Sequence, residues 1–142
     1  MYKSILLPVD LNQESSWEKA LPTAVLMARS LSIKIHIATV IPDFGMAVVG
    51  SFFPADFEGK TTKQTQAMLD GFVKEHLPPD LVASATVMHG TIYEEIVATA
   101  NTQGCDLIIL SSHRPETKDY LLGPNASRVV RHATQSVFVV RK

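Results

Sequence analysis

The feature that most constrains the fold of this chain is an alternation of short apolar runs with segments of helical periodicity. The apolar runs are too short for buried helices and are rich in β-branched residues, so they predict buried strands. The predicted strands are Ile5–Val9, Ile33–Ile41, Val82–Met88, Leu107–Leu110 and Val137–Val140. Strands that alternate with helices in this way predict a doubly wound α/β domain, with a parallel sheet, right-handed crossovers and helices on both faces.

The first helical segment contains two signals that disagree about where the helix begins. Ser15 and Glu18 have the spacing of a capping box, which predicts a helix N-terminus at Ser15. Pro22 follows, and proline removes a backbone hydrogen bond from a helix interior. The sequence therefore predicts either a kink at Pro22 or a helix that begins later than the capping box suggests.

The remaining helices have clearer signals. A second capping box begins at Thr91, and its helix is predicted to end at Gly104, a typical C-cap residue. A longer helix is predicted from Thr61 to His76. The last helix is predicted to be short and to carry Ala126, Val129, Val130 and Ala133.

The stretch from Pro42 to Lys60 fits neither a helix nor a strand. It is rich in glycine and proline but too apolar for a solvated loop. One interpretation is that it folds back onto the core of the domain. The other is that it forms a lid over a ligand or a surface for a partner.

Composition narrows the class of protein. The chain has 142 residues, the size of one domain, and we expect a single domain over residues 1–142. Its net charge of -1 gives no field that favours nucleic acid or an anionic membrane. The single cysteine, Cys105, cannot form an intramolecular disulfide and is typical of a reducing compartment. Neither a signal peptide nor a membrane span is evident, so we expect a cytoplasmic protein.

In doubly wound sheets, ligands bind beyond the carboxyl ends of the strands. Asp10 directly follows the first predicted strand, after Pro8 and Val9. A carboxylate at this place can meet a ribose hydroxyl or a metal ion. It can equally serve only to cap the following turn, and the spacing does not decide between the two.

The segment after the fourth strand carries the strongest sign of a phosphate site. Gly123 allows close approach of the backbone, and Pro124 suits the first position of a helix, so amides near Asn125, Ala126 and Ser127 are predicted to face a ligand. Arg114, with His113 or Lys118, can add charge-assisted hydrogen bonds to the same phosphates.

The whole chain resembles the universal stress protein family. The resemblance lies in Ile5–Asp10, Cys105–Leu110, Gly123, Val129–Ala133 and the closing Ser136–Arg141. It implies strand order 3-2-1-4-5, ATP or AMP in the crevice and a homodimer paired through the last strands. The dimer strand would then comprise Val137, Phe138, Val139 and Val140.

The family's phosphate loop reads Gly-x2-Gly-x9-Gly-Ser/Thr, and this chain departs from it. Ser111 and Arg114 stand at the first two glycine positions, the loop is shorter, and Pro124 replaces the hydroxyl residue. Ser-His-Arg-Pro followed by Leu-Leu-Gly-x-Asn-Ala resembles instead the enterobacterial F- and G-type branch of the family. That resemblance implies that the shortened loop still holds nucleotide.

The resemblance also implies a role for each position of the nucleotide site. The backbone of Val40 would meet the adenine edge, and Asp10 would meet the ribose or a nucleotide-bound Mg²⁺, since no protein metal cage is expected. The nucleotide-binding residues would be Pro8, Val9, Asp10, Val40, Ser111, Ser112, His113, Arg114, Gly123, Pro124, Asn125, Ala126 and Ser127.

Other chemistry-bearing residues favour ordinary structural roles. His36 lies in a strand, where an exposed or hydrogen-bonded histidine is expected, and Cys105 has the position of a packed thiol. His76, His89 and His132 lack metal-ligand spacing.

Three functions remain in competition. The first is an adenine-nucleotide-binding regulatory module without catalytic activity, which acts through occupancy, dimerisation and an unidentified protein partner. The second is a weak ATP-hydrolysing or adenylyl-transfer enzyme, although no catalytic motif for either is present. The third is a dimeric interaction protein that has lost the ligand, which the missing loop glycines favour.

Overall fold

The computed structural model describes residues 1–42, 57–112 and 123–141, together with the side chains of these ranges except at 57–60 and 123–124. Its strands form one parallel sheet in the order β3-β2-β1-β4-β5. Their bounds are β1 Ser4–Pro8, β2 Lys34–Pro42, β3 Val82–Gly90, β4 Leu107–Ser112 and β5 Ser136–Arg141. The predicted fold class and strand order are therefore confirmed.

Helices cover both faces of this sheet. The α-helices in the described part are α1 Ala20–Leu31, α2 Phe57–His76, α3 Ile92–Gln103 and α4 Gly123–His132, and short 3-10 helices span Glu14–Ser16 and Pro79–Leu81. No helix among the described residues is long and apolar enough to cross a membrane.

Alternate side chains of the central strands divide the core into two layers. Ile5 and Leu7 of β1 point to the layer that contains α1 and α2, whereas Leu6 points to the layer that contains α3 and α4. All three are fully buried. A strand buried on both faces needs a continuous apolar run, which explains why these segments lack the alternation of a half-exposed strand.

Helix α1 begins later than the capping box suggests, as Pro22 allowed. Its first residue is Ala20, so Pro22 lies in the first turn, where a missing N–H removes no intrahelical bond. The predicted cap at Ser15 is wrong: Lys19 is the N-cap residue and makes no side-chain capping bond. The chain before it forms the 3-10 turn Glu14–Ser16 instead.

Other boundaries differ in smaller ways. Helix α2 begins one turn before Thr61, and β3 continues two residues past Met88. Gly104 does end α3, in the left-handed conformation with φ of 68°. On α4, Val129 is buried, whereas Val130 is 52% exposed. The predicted Pro42–Lys60 segment falls mostly on residues 43–56, outside the described residues, so its role stays a prediction.

The end of the sheet where the strands begin is closed by Asp106. Its carboxylate accepts the backbone N–H groups of Lys3 (3.0 Å to each oxygen) and Ser4 (3.2 Å), which ties the start of β1 to the start of β4. Burial by itself would raise the pKa of Asp106, but these hydrogen bonds and the charge of Lys3 outweigh it and lower the pKa. We call this end the amino edge, and the opposite end, where the strands finish, the carboxyl edge.

The two lateral edge strands differ in how their outward backbone groups are covered. Residues of a strand face its two neighbours alternately. Ala85 of β3 lies opposite Ile37 and faces away from the sheet, and its carbonyl accepts the side-chain amide of Gln66 on α2 (3.2 Å). On β5, Ser136 donates to the Asp106 carbonyl (3.2 Å) and so faces β4, which leaves the backbone of Val137 and Val139 facing outward.

Candidate functional site

The candidate site at the carboxyl edge starts with Asp10, held in place by the 3-10 turn that follows it. The hydroxyl of Ser16 accepts the backbone N–H of Asp10 (2.9 Å) and lies 2.7 Å from the Gln13 carbonyl, to which it donates. Both Asp10 and Ser16 are buried. This role of Ser16 was not predicted from the sequence. The only sequence feature that could have indicated it is the Ser15-Ser16 pair.

The carboxylate of Asp10 is only half satisfied. Oδ1 accepts the backbone N–H of Asn12 (3.0 Å), but Oδ2 is buried without a hydrogen-bond partner among the described residues. Burial raises the pKa of Asp10, and the bond from Asn12 opposes this in part. A buried carboxylate oxygen with a free lone pair is costly to the protein alone, and it suits a ligand hydroxyl or a ligand-bound cation.

Val40 lies beside this carboxylate in the topology, but within β2 rather than after it. The Val9 N–H donates to the Ala38 carbonyl (2.8 Å), so Ala38 faces β1. Val40, two residues on, points its N–H and C=O groups to the same side, beyond Pro8, the last residue of β1. A donor and an acceptor on one residue match the edge of a flat heterocycle.

The end of β4 places two serines at the carboxyl edge, on the other side of β1 from Val40. Ser111 and Ser112 pair with Val140 and Arg141 of β5. Ser111 is only 4% exposed, and its hydroxyl makes no hydrogen bond to any residue that the structure describes. Neighbouring β1 and β4 thus deliver Asp10 and Ser111 to the same edge of the sheet.

The first turn of α4 lies at the same edge, and the side chains of Asn125 and Ala126 within it are buried. Gly123 and Pro124 begin the helix. The buried side chain of Asn125 accepts the backbone N–H of Tyr93 (3.2 Å) and so caps the first turn of α3. Ala126 is buried as well, whereas Ser127 is exposed. Any contact of Ala126 with a ligand is therefore through its backbone.

His113 and Arg114 lie outside the described residues, so their predicted contacts with phosphate stay predictions. The structure brings the other expected positions to one edge of the sheet. These are Pro8, Val9, Asp10, Val40, Ser111, Ser112 and the first turn of α4.

The remaining chemistry-bearing residues have structural partners. His36 is hydrogen-bonded through Nδ1 to the hydroxyl of Ser84 across the strands (2.7 Å), as expected for a satisfied strand histidine. Burial lowers the pKa of His36. Cys105 is buried, as predicted. Within residues 1–42, 57–112 and 123–141, no group of three or more His, Cys, Asp or Glu side chains could hold a metal ion.

The chain is similar in sequence and in fold to many known proteins. The sequence pattern of the Universal stress protein family matches residues 1–141. Universal stress protein G of Salmonella typhimurium is 31% identical over 145 residues, which cover 99% of this chain and 100% of the relative.

Solved structures agree with the fold. That of MJ0577 from Methanocaldococcus jannaschii is 26% identical, covers 100% of this chain and 97% of its own, and superposes with a TM-score of 0.71. Two more distant structures contain nucleotides. A universal stress protein in complex with cAMP has 17% identity and a TM-score of 0.62, with 99% of this chain and 97% of that chain covered. One from Archaeoglobus fulgidus in complex with dAMP has 15% identity and a TM-score of 0.58, with 97% of both chains covered.

Proposed function

The chain belongs to the universal stress protein family, and on that premise we propose that it is an adenine-nucleotide-binding regulatory module of the cytoplasm, with ATP or AMP as its ligand. It signals through nucleotide occupancy and dimerisation rather than by turning over a metabolite. The observation that carries the proposal is Asp10, a buried carboxylate with one oxygen left without a partner among the described residues.

The proposed contacts follow from the groups at the carboxyl edge. The backbone N–H and C=O of Val40 bind the adenine edge, since their positions match an acceptor and a donor on one side of a purine. The free oxygen of Asp10 accepts a ribose hydroxyl or coordinates a nucleotide-bound Mg²⁺. Ser111, Ser112 and the first turn of α4 surround the phosphates, with His113 and Arg114 adding charge.

The relatives support the ligand class at the level of the fold. The structures with cAMP and dAMP share the architecture at 17% and 15% identity, too low to transfer individual contacts. In this chain, adenine as the bound base is therefore supported by Val40 and Asp10 themselves.

The most direct test of the proposal is to find out what the purified protein carries. Denaturation followed by chromatography of the supernatant should release an adenine nucleotide, and ATP and AMP should bind to the stripped protein in a titration. A protein that releases no nucleotide and binds neither ligand would contradict the proposal and favour the ligand-free interaction protein.

A substitution at the start of α4 tests the phosphate contacts. Gly123→Val places a branched side chain where the backbone must approach the phosphates, and we expect ATP affinity to fall at least about tenfold with an unchanged circular dichroism spectrum. Equal ATP titrations for variant and parent would exclude phosphate contact at Gly123.

Arg114→Ala should weaken the binding of ATP more than the binding of adenosine, because only ATP offers phosphates to a guanidinium.

The dimer that we propose forms through β5. The outward backbone groups of Val137 and Val139 offer a pairing template, Phe138 is 44% exposed, and the strand contains no proline. Because the N–H of Val139 faces outward, Val139→Pro removes a bond from the dimer and none from the β4–β5 ladder. Light scattering should show a dimer for the parent and for the control Val139→Ala, and a monomer for the proline variant. A parent that is monomeric at tens of micromolar would refute the dimer.

A further inference from the structure

A cavity of about 550 Å³ lies at the amino edge of the sheet, at the opposite end from the nucleotide contacts proposed above. Its border includes Tyr2, Asp106 and Gln135, which precede β1, β4 and β5, and Ser136, the first residue of β5. Small-molecule sites usually have volumes of about 300–1,000 Å³. The cavity therefore has room for a small organic ligand, and none of these residues belongs to the nucleotide site.

The side-chain amide of Gln135 has one oxygen without a partner. Its Nε2 donates to Oδ1 of Asn101 on α3 (2.6 Å), which holds one end of the amide. Its Oε1 is buried and accepts no hydrogen bond from any described residue. In the described part of the chain, the only other buried side-chain oxygen or nitrogen in this state is Oδ2 of Asp10, at the candidate nucleotide site. A buried acceptor left unpaired destabilises a protein unless another molecule donates to it.

The other polar groups at the border of this cavity indicate which ligands it can accept. Asp106 contributes a negative charge, although its oxygens already accept the backbone N–H groups of Lys3 and Ser4. The hydroxyl of Tyr2 donates its proton to Oγ of Ser136 (2.9 Å), so the Tyr2 oxygen remains an acceptor.

Among the described residues that border the cavity there is no lysine, arginine or histidine. Acceptor oxygens and one carboxylate therefore face a ligand there without a basic side chain beside them. Such a border favours a ligand that donates N–H groups and is neutral or positively charged, and it disfavours an anion.

We propose that the amino-edge cavity is a binding site for a small ligand with an N–H donor, which bonds to Oε1 of Gln135. Two kinds of group supply such a donor. A primary amide does so without charge, whereas a primary ammonium group is also attracted by the carboxylate of Asp106. The site lies at the opposite end of the sheet from Asp10, and it does not depend on the proposed nucleotide function.

The experiment titrates the full chain, labelled with ¹⁵N, with three probes of similar size and follows the binding by NMR. The probes are butanamide, butylammonium and butyrate, which is the matched anion. The backbone amide signals of Tyr2 and Ser136 report on the cavity, and that of Val9 is the reference at the carboxyl edge.

Three variants test the role of Gln135. Gln135→Leu removes Oε1 and nearly keeps the size of the side chain. Gln135→Glu keeps an acceptor and adds a negative charge. Gln64→Leu is the matched control, because it makes the same change at an exposed glutamine of α2.

We expect butanamide, butylammonium or both to shift the signals of Tyr2 and Ser136 in the parent and to leave that of Val9 in place. Gln135→Leu should weaken this binding about tenfold, as expected for the loss of one hydrogen bond, and Gln64→Leu should leave it unchanged. Gln135→Glu should favour butylammonium over butanamide more than the parent does.

The proposal is refuted if neither donor shifts the signals of Tyr2 and Ser136 at tens of millimolar. It is also refuted if Gln135→Leu binds both donors as tightly as Gln64→Leu does, or if butyrate binds as tightly as the donors. A separate titration with ATP reports on the carboxyl edge, so the two proposals can fail independently.

Discussion

Asp10 and Asp106 are the same residue placed at opposite ends of one sheet, and the protein treats them differently. Asp106, at the amino edge, accepts three contacts from the backbone N–H groups of Lys3 and Ser4, and its pKa is lowered. Asp10, at the carboxyl edge, is more deeply buried and accepts one, from Asn12, and its pKa is raised. Asp106 holds the starts of β1 and β4 together, whereas Asp10 leaves its Oδ2 without a hydrogen-bond partner among the described residues.

The glycines of the two edges show the same contrast. Gly104, at the amino edge, has the relaxed left-handed conformation of a helix C-cap, with no atom near the place where a Cβ would be. Gly90, at the carboxyl edge, has φ of 140°, and a Cβ there would lie 2.7 Å from Oε1 of Glu95. Of these two glycines, the one with the more strained backbone is at the edge where ligands bind in this class of fold.

The largest effect that separates the two edges is expected from the glycines. Gly90→Ala should reduce the free energy of unfolding by about 3 kcal/mol, since a φ of 140° is strongly disfavoured for alanine, while the flexible Glu95 side chain can move away from the added Cβ. Gly104→Ala, which meets open space, should cost about 1 kcal/mol. Urea denaturation measures both. Equal losses would show that the backbone at Gly90 accommodates alanine without extra strain.

The second test breaks the clamp at the amino edge. Asp106→Ala removes a charged acceptor from the N–H groups of Lys3 and Ser4, and we expect a loss of about 2 kcal/mol in the free energy of unfolding. Nucleotide affinity should not change, because the substitution lies at the opposite end of the sheet. A variant as stable as the parent would mean that water replaces the carboxylate fully.

At the carboxyl edge the same kind of change should have the opposite sign. Asp10→Asn keeps the acceptor for the Asn12 N–H and removes a buried charge, so the ligand-free protein should gain about 1 kcal/mol in the free energy of unfolding. Its ATP affinity should fall, because an amide is a poorer partner for a hydroxyl or a cation. A variant that loses stability would show that the Asp10 carboxylate stabilises the fold and is not a group available to a ligand.

The smallest effect is a difference in pH dependence between the two aspartates. The pKa of Asp10 is raised by folding, so its ionised form destabilises the protein at neutral pH, and this penalty is relieved as the pH falls through the raised value. Asp106 has a lowered pKa, so its contribution is present above 3.8 and is lost below it. As the pH falls, the stability of Asp10→Asn should therefore converge on that of the parent first, above pH 3.8. The Asp106→Ala deficit should close only below it. The reverse order in urea titrations at graded pH would invert the assignment.

Periodicity predicted the parts of this fold that depend on burial alone. The central strands are apolar on both faces, so the continuous apolar run Ile5, Leu6 and Leu7 directly predicted a strand buried in the middle of the sheet. The strand order came from family resemblance, since short apolar runs do not encode which strand lies beside which. Exposure was harder to predict, because the neighbouring valines of α4 differ: Val129 is buried and Val130 is exposed, which apolar character alone does not indicate.

The candidate site was predicted in its positions more than in its mechanism. Asp10, Ser111 and the start of α4 meet at one edge because parallel strands end together. The role of Ser16 and the use of Asn125 as a cap for α3 depend on tertiary contacts between segments six and thirty-two residues apart. The capping-box spacing at Ser15 could not indicate the role of Ser16, because the Ser16 hydroxyl bonds to the backbone of Asp10 and Gln13 and not to the first turn of a helix.

The unequal covering of β3 and β5 would limit how far the proposed assembly can proceed. A sheet with two available edges can add further copies at both ends and grow into an open filament, which is a hazard for any parallel α/β protein. Here Gln66 already occupies an outward carbonyl in the middle of β3, while the outward groups of β5 face away from β4. Pairing through β5 would therefore consume the accessible edge of each copy, so that association is self-limiting at two subunits.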